Sequence, residues 1–251
     1  MAGSMVMRSA NPALGDHTFD RIQADSGTER MTLGGTVNKT GLALVILLLT
    51  ASWVWNRGAE NPALGGWILI SVIAGLVVAM VTIFKQTLAP YTTPIYAAVE
   101  GMALGGISVI FEARYPGIVS QAVFLTFGTL GALLMAYRSG VIQATENFKL
   151  GVVAATGGIA LLYLLSFVLG FFGVSVPLIH SSGTFGILFS LFVVVIAALN
   201  LVLDFDFIER GAERGAPKYM EWYGAFGLLV TLVWLYLEIL HLLAKLQSRQ
   251  R

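Results

Sequence analysis

Seven runs of apolar residues dominate the chain, at about 41–55, 64–84, 95–111, 118–137, 151–173, 183–203 and 222–243. A helix that crosses the hydrocarbon core of a bilayer needs roughly 20 such residues, within a range of about 17–25. Six runs meet that length, and the first meets it if it begins at Thr36. The breaks carry turn chemistry: Asn61-Pro62, Pro90 with Pro94, Tyr115-Pro116-Gly117, Val176-Pro177 and Gly215-Ala216-Pro217. Glu112, Arg114 and Pro116 are what divide 95–137 into two spans. Only 12% of residues are charged, where a soluble domain carries about 25%. The expected fold is therefore an all-α integral membrane bundle of seven helices.

Composition excludes several functions. A net charge of +1 gives no field that attracts nucleic acid. Cysteine is absent, which removes disulfides and thiolate metal sites. His17, His180 and His241 lie far apart, so a multi-histidine centre is not expected. Residues 1–38 are polar, of mixed charge and without apolar periodicity, and read as a cytosolic arm. Their polarity also argues against a cleavable signal peptide, whose apolar core would lie nearer Met1. The transmembrane domain is expected over 39–246, followed by a basic tail at 247–251.

Orientation follows the excess of Lys and Arg on the inner side. With the N-terminus inside, ten basic residues fall inside (Arg8, Arg21, Arg30, Lys39, Lys85, Arg138, Lys149, Arg210, Arg214 and Lys218) and five outside (Arg57, Arg114, Lys245, Arg249 and Arg251). N-in and C-out is the expectation, although the basic tail argues for a C-terminus inside. Gly101, Gly105 and Gly106, Gly128 with Gly131, and Gly157 with Gly158 are expected to let helix backbones approach. Asn-Pro-Ala-Leu-Gly occurs at 11–15 and again at 61–65, as a turn element or a coincidence.

Four carboxylates interrupt the apolar runs or close them: Glu100, Asp204, Asp206 and Glu238. A charge at bilayer depth costs on the order of 3 kcal/mol, so such residues commonly line an ion or proton path or pair inside the bundle. Residues three or four apart share a helix face. From Glu238 that face holds Thr231, Trp234, His241 and Lys245, with Gly224 and Gly227 extending it. It is either the wall of a polar path or a packed interface with one hydrogen-bonded Glu. Asp204 and Asp206 are two residues apart, about 200° around a helix, and cannot face the same way. Asp204 shares its face with Asn200, which makes it the inward acid. Asp206 is placed nearer the headgroups, in the path or simply solvated. Glu100 and Asp204 lie at comparable depth, and Lys85 can pair with either or snorkel to the interface.

Two acids that share a proton separate their apparent titrations, so a buried pair suits pH sensing. Charged, the pair repels itself and recruits a cation or a Lys; protonated, it bonds to itself and closes. Calcium prefers six to eight oxygen ligands. Asp204 and Glu238 with a few carbonyls offer a weak, transient site of the kind found along a conduction route.

The motifs around these acids resemble the transmembrane Bax inhibitor motif family. Leu203-Asp204-Phe205-Asp206-Phe207-Ile208 is similar to the family's acidic motif, with Ile four residues after the Asp. Leu235-Tyr236-Leu237-Glu238-Ile239 is similar to its Leu-Tyr-Leu-Asp-Phe/Ile motif. The stretches at 8–14 and at 221–227 resemble a bacterial branch. The resemblance covers about 40–245 and implies a seven-helix bundle with the last helix central, in the bacterial inner membrane. It also implies a pH-sensitive calcium leak governed by an acidic pair, here Asp204 and Glu238. In the family an Arg at the cytosolic side of span two engages the pair, and Lys85 is the nearest match.

Three departures accompany the resemblance. The second acid is Glu rather than Asp. Span two has no acid between Trp67 and Phe84, and Glu100 on span three is the substitute on offer. Asp204 and Glu238 are 34 residues apart. With a turn at 211–217, Glu238 would lie about 15 Å deeper than Asp204 at about 1.5 Å per residue. Direct pairing then needs 218–226 to run along the interface; otherwise the acids form two stations and Asp204 turns to Glu100.

The leading expectation is a passive, pH-gated cation leak, with calcium as permeant ion and no cofactor required. The second is a non-conducting regulator that binds membrane proteases or cell-death and stress proteins. A proton-coupled carrier lacks support, since no inverted repeat or paired broken helices are seen. An enzyme is not expected, because His-Glu-x-x-His is absent and the histidines are scattered.

Overall fold

A computed structural model describes residues 29–58, 64–173 and 183–250. The turns at Asn61-Pro62 and Val176-Pro177, His17, His180, the stretch at 8–14 and the first Asn-Pro-Ala-Leu-Gly copy lie outside the described residues. Seven α-helices make up nearly all of the rest: α1 (Leu33–Gly58), α2 (Leu64–Phe84), α3 (Ala89–Arg114), α4 (Ile118–Arg138), α5 (Glu146–Phe171), α6 (Thr184–Glu213) and α7 (Met220–Gln250). All seven are long and apolar enough to cross a membrane. The protein is an all-α, multi-pass membrane helical bundle. Leu69, Ile70, Leu76, Phe124, Leu161 and Phe167 each expose more than 60% of their surface. Apolar exposure on that scale is lipid contact. More than half of the most apolar stretch of α6 and of α7 is buried, and α7 is the most buried of the seven.

The helices outrun the apolar runs that predict them, each for a local reason. α1 starts at Leu33, inside the segment expected to be a polar arm. The Thr32 hydroxyl caps it by accepting from Gly35 N at 3.0 Å. Thr36 and Thr40 are then buried, each hydroxyl bonding the carbonyl one turn earlier. α3 starts at Ala89 and runs through Pro94, so the break expected at Pro90 and Pro94 falls instead at Lys85–Leu88. Pro90 sits in the first turn, where a missing N–H goes unnoticed. α5 starts at Glu146 with Thr145 as its cap, accepting from Phe148 N at 3.3 Å. α6 continues to Glu213, which puts Asp204 and Asp206 within the helix rather than at its close. The turns at Gly117 (φ 85°) and Gly215 (φ 66°) fall where expected, both in the left-handed region that glycine enters without strain.

Two compact units divide the described residues. One holds 29–58 and 64–114 with 204–230; the other holds 115–173 and 183–203 with 231–250. In the first, α1 and α3 pack at glycine. A Cβ on Gly101 would collide with Thr50 and the Leu47 carbonyl, and one on Gly105 would lie 2.5 Å from the Ala51 oxygen and 2.9 Å from its Cα. The segment before α1 is strapped to the α6–α7 turn: Met31 N donates to Ala216 O at 2.7 Å and Lys218 N to Glu29 O at 2.9 Å. Tyr96 and Phe226 meet edge to face at 5.0 Å, and Thr93 Oγ1 donates to Trp222 O at 3.1 Å. In the second unit Ile159, Val193 and Ile196 form a buried cluster, flanked by Ala155, Tyr163, Phe189 and Trp234.

The other glycines expected at close contacts behave differently. Added Cβ atoms on Gly128, Gly131, Gly157 and Gly158 would meet nothing within 4 Å. The contrast gives a test. Gly105→Leu drives a side chain into α1 backbone that cannot retreat, and a loss of about 1–3 kcal/mol is expected. Gly128→Leu enters open space and is expected to lose less than about 0.5 kcal/mol. Thermal unfolding in detergent compares the two.

Candidate functional site

In the second unit, α5, α6 and α7 carry a series of polar contacts among apolar side chains. Glu238 lies on α7 with 5% of its surface exposed. Its Oε1 accepts from Tyr163 Oη on α5 at 3.0 Å and from Trp234 Nε1, one turn earlier on α7, at 3.2 Å. Tyr163 is itself held edge to face against Phe189 at 6.5 Å. Two turns beyond Glu238, Lys245 Nζ donates to Ser190 Oγ at 2.7 Å and to Gly186 O at 3.2 Å, both on α6. Asn200, on α6 and 2% exposed, donates through Nδ2 to Thr156 Oγ1 at 2.9 Å and to Ile196 O at 2.8 Å. Glu238, Ser190 and Asn200 are buried, and a bond to a group so placed counts for more than it would at a surface.

Asn200→Ala removes both bonds at a buried position and opens a small void. A loss of about 1–3 kcal/mol is expected, read as a lower unfolding temperature in detergent.

Helical spacing puts Thr231, Trp234, Glu238 and Lys245 near one line along α7. Thr231 and Glu238 are buried, Trp234 and Lys245 half-buried. His241 is exposed. Three residues on from Glu238 it is turned about 60° off that line, whereas Lys245, seven residues on, returns to within about 20°.

The first unit holds the other candidate acids. Asp204 is fully buried on α6. Asp206 is half-buried and paired with Arg210 one turn later, Nε to Oδ1 at 3.1 Å, rather than solvated. Glu100 is half-buried on α3, and a Cβ on Gly75 of α2 would lie 2.7 Å from its Oε2. Glycine at 75 makes room for that carboxylate. Lys85 is exposed at the turn after α2, where its carbonyl accepts from Leu88 N at 2.9 Å. Asp204 belongs to this unit and Glu238 to the other. Among the described residues no three His, Asp or Glu side chains are grouped closely enough to hold a metal ion.

One charged cluster of the first unit was not expected from the sequence. Glu221, in the first turn of α7, is fully buried. Its carboxylate forms an ion pair with Lys39 of α1 and lies 3.4 Å from Lys218 Nζ. It also accepts from Thr32 N at 2.9 Å and Thr32 Oγ1 at 2.8 Å. Lys39 in turn lies 5.8 Å over the Trp222 ring. An added Cβ on Gly35 would collide with the same carboxylate. The available signals were a Thr placed to cap α1 and an acid in the first turn of α7, where the helix dipole favours it. Neither signal says that they meet.

No curated protein and no solved structure matches the chain. A family model described as Bax inhibitor 1 like matches residues 11–248, which takes in all seven helices but for the last two residues of α7, and every acid named above. That coverage is nearly the whole chain, and the chain belongs to the Bax inhibitor 1-like family.

Proposed function

We propose that the protein is a pH-sensitive leak for calcium and related cations across the bacterial inner membrane, with its N-terminus in the cytoplasm. The observation that carries this reading is the burial of two carboxylates within membrane-spanning helices, Asp204 on α6 and Glu238 on α7. A carboxylate there is costly, and residues of this kind commonly mark ion or proton pathways. In its charged form the carboxylate offers a cation two anionic oxygens, and in its protonated form it loses that charge and turns one oxygen into a donor. Two acids and a few neighbouring oxygens fall short of the six to eight ligands of a tight calcium site, which suits passage over retention.

On this reading Asp204 and Glu238 are the stations of the path and the proton sensors. Asn200 and Thr231 contribute to its walls, while Asp206 with Arg210 belongs to its edge. Glu100 is an additional acid of the path, and Lys85 is the cation available at the cytosolic end. The protein does no covalent chemistry and needs no cofactor. Purified protein in liposomes loaded with a calcium dye tests the reading. Calcium entry that depends on pH, and that changes in Asp204→Asn or Glu238→Gln, is the expected outcome. Absence of flux from folded protein would instead favour a non-conducting regulator that binds other membrane proteins.

A further inference from the structure

Lys245 has a place in the second unit that the leak reading has not used. Its ammonium holds a hydroxyl, Ser190 Oγ at 2.7 Å, and a backbone carbonyl, Gly186 O at 3.2 Å. Those are the neutral oxygens a passing cation uses in place of its hydration shell. Lys245 is aligned with Glu238 on α7, two turns away, so the two charged groups belong to one side of the helix. Glu238 Oε1 accepts from two neutral donors, the Tyr163 phenol and the Trp234 indole. A phenol and an indole fix its orientation and leave its charge in place.

We infer that Lys245 is a tethered counter-cation of Glu238, occupying the Ser190 and Gly186 oxygens and competing with divalent cations for this end of the path. The inference rests on the leak reading for its consequence in transport, but the competition is a matter of binding and stands without it. A free cation that reaches Glu238 must do so against the positive charge of a side chain rooted roughly 10 Å along the same helix. Removing that charge raises the affinity of Glu238 for a divalent or trivalent cation and vacates the Ser190 and Gly186 oxygens. Arginine at 245 keeps the charge and the competition.

Terbium, a calcium substitute that emits when an excited indole lies close by, reads the binding step directly. Trp234 touches Glu238 and is placed to sensitise it. Terbium would be titrated into the full-length protein in detergent as wild type, Lys245→Met, Lys245→Gln and Lys245→Arg, with Trp234→Phe to identify the signal. Calcium flux would be measured on the same proteins in liposomes. The expected result is a terbium affinity raised on the order of tenfold in the Met and Gln variants and little changed in Arg. The signal should be lost in Trp234→Phe, and calcium flux should rise in parallel with the affinity. Equal terbium affinity in wild type, Met and Gln would overturn the inference, as would an absence of Trp234-dependent emission in every variant. Raised affinity with no flux from any protein would overturn the leak and leave Lys245 as the counter-cation of Glu238.

Discussion

Glu221→Ala is expected to destabilise the protein by about 3–5 kcal/mol, the range seen when one member of a buried ion pair is removed. Glu221 has no exposed surface, and its carboxylate answers Lys39, Lys218, the Thr32 hydroxyl and the Thr32 amide together. Without it the Lys39 ammonium keeps only the Trp222 face among these partners, and the Thr32 amide loses its acceptor. The consequences extend to the strap, because Thr32 follows the residues that bond to the α6–α7 turn. Glu221→Gln keeps an acceptor for Thr32 but not the charge, and is expected to fall between wild type and Ala. Lys39→Met combined with Glu221→Leu removes both charges and should recover part of the loss, since an apolar replacement of a buried pair is often neutral. Unfolding in detergent, followed by tryptophan fluorescence, checks the order of the three. A Glu221→Ala protein as stable as wild type would show that this cluster does not hold α1 to α7.

The second large effect concerns transport. Glu238→Gln preserves the shape of the side chain and an oxygen for Tyr163 and Trp234, but removes the charge at every pH. A charged acceptor is worth about 1.5–3 kcal/mol, so calcium flux is expected to fall by roughly ten- to a hundredfold. Whatever pH dependence Glu238 confers should flatten in the same variant. Asp204→Asn is expected to do the same for the share of the profile that Asp204 confers. Asp206→Asn should do less, because Asp206 is already neutralised by Arg210 at 3.1 Å.

How much of this could be read from the chain depends on the distance in sequence between partners. The seven spans followed from hydropathy, because bilayer thickness sets a length that each run meets. Their ends did not, because a helix continues past the hydrocarbon wherever its polar groups find partners, as Thr36 and Thr40 do in α1. The alignment of Trp234, Glu238 and Lys245 followed from helical spacing alone. Their partners Tyr163, Ser190 and Gly186 lie on other helices, and no periodicity points to them. Arg210 is within reach of spacing rules, being one turn after Asp206, but spacing alone does not tell whether such a pair forms or the acid faces a path or solvent. Glycines were ambiguous for a different reason. Gly105 and Gly128 sit in helices that are apolar all round, so the pattern does not tell which face meets a neighbour and which meets lipid.

The measurement that tests the central claim most directly is calcium entry into dye-loaded liposomes from about pH 5 to pH 8, with wild type, Asp204→Asn and Glu238→Gln reconstituted at equal density. The account predicts flux above that of empty liposomes in wild type, a dependence on pH, and a profile lowered and flattened by loss of either buried carboxylate. Flux indistinguishable from empty liposomes at every pH, from protein shown to be folded, would contradict it. So would a wild-type profile that both substitutions leave unchanged.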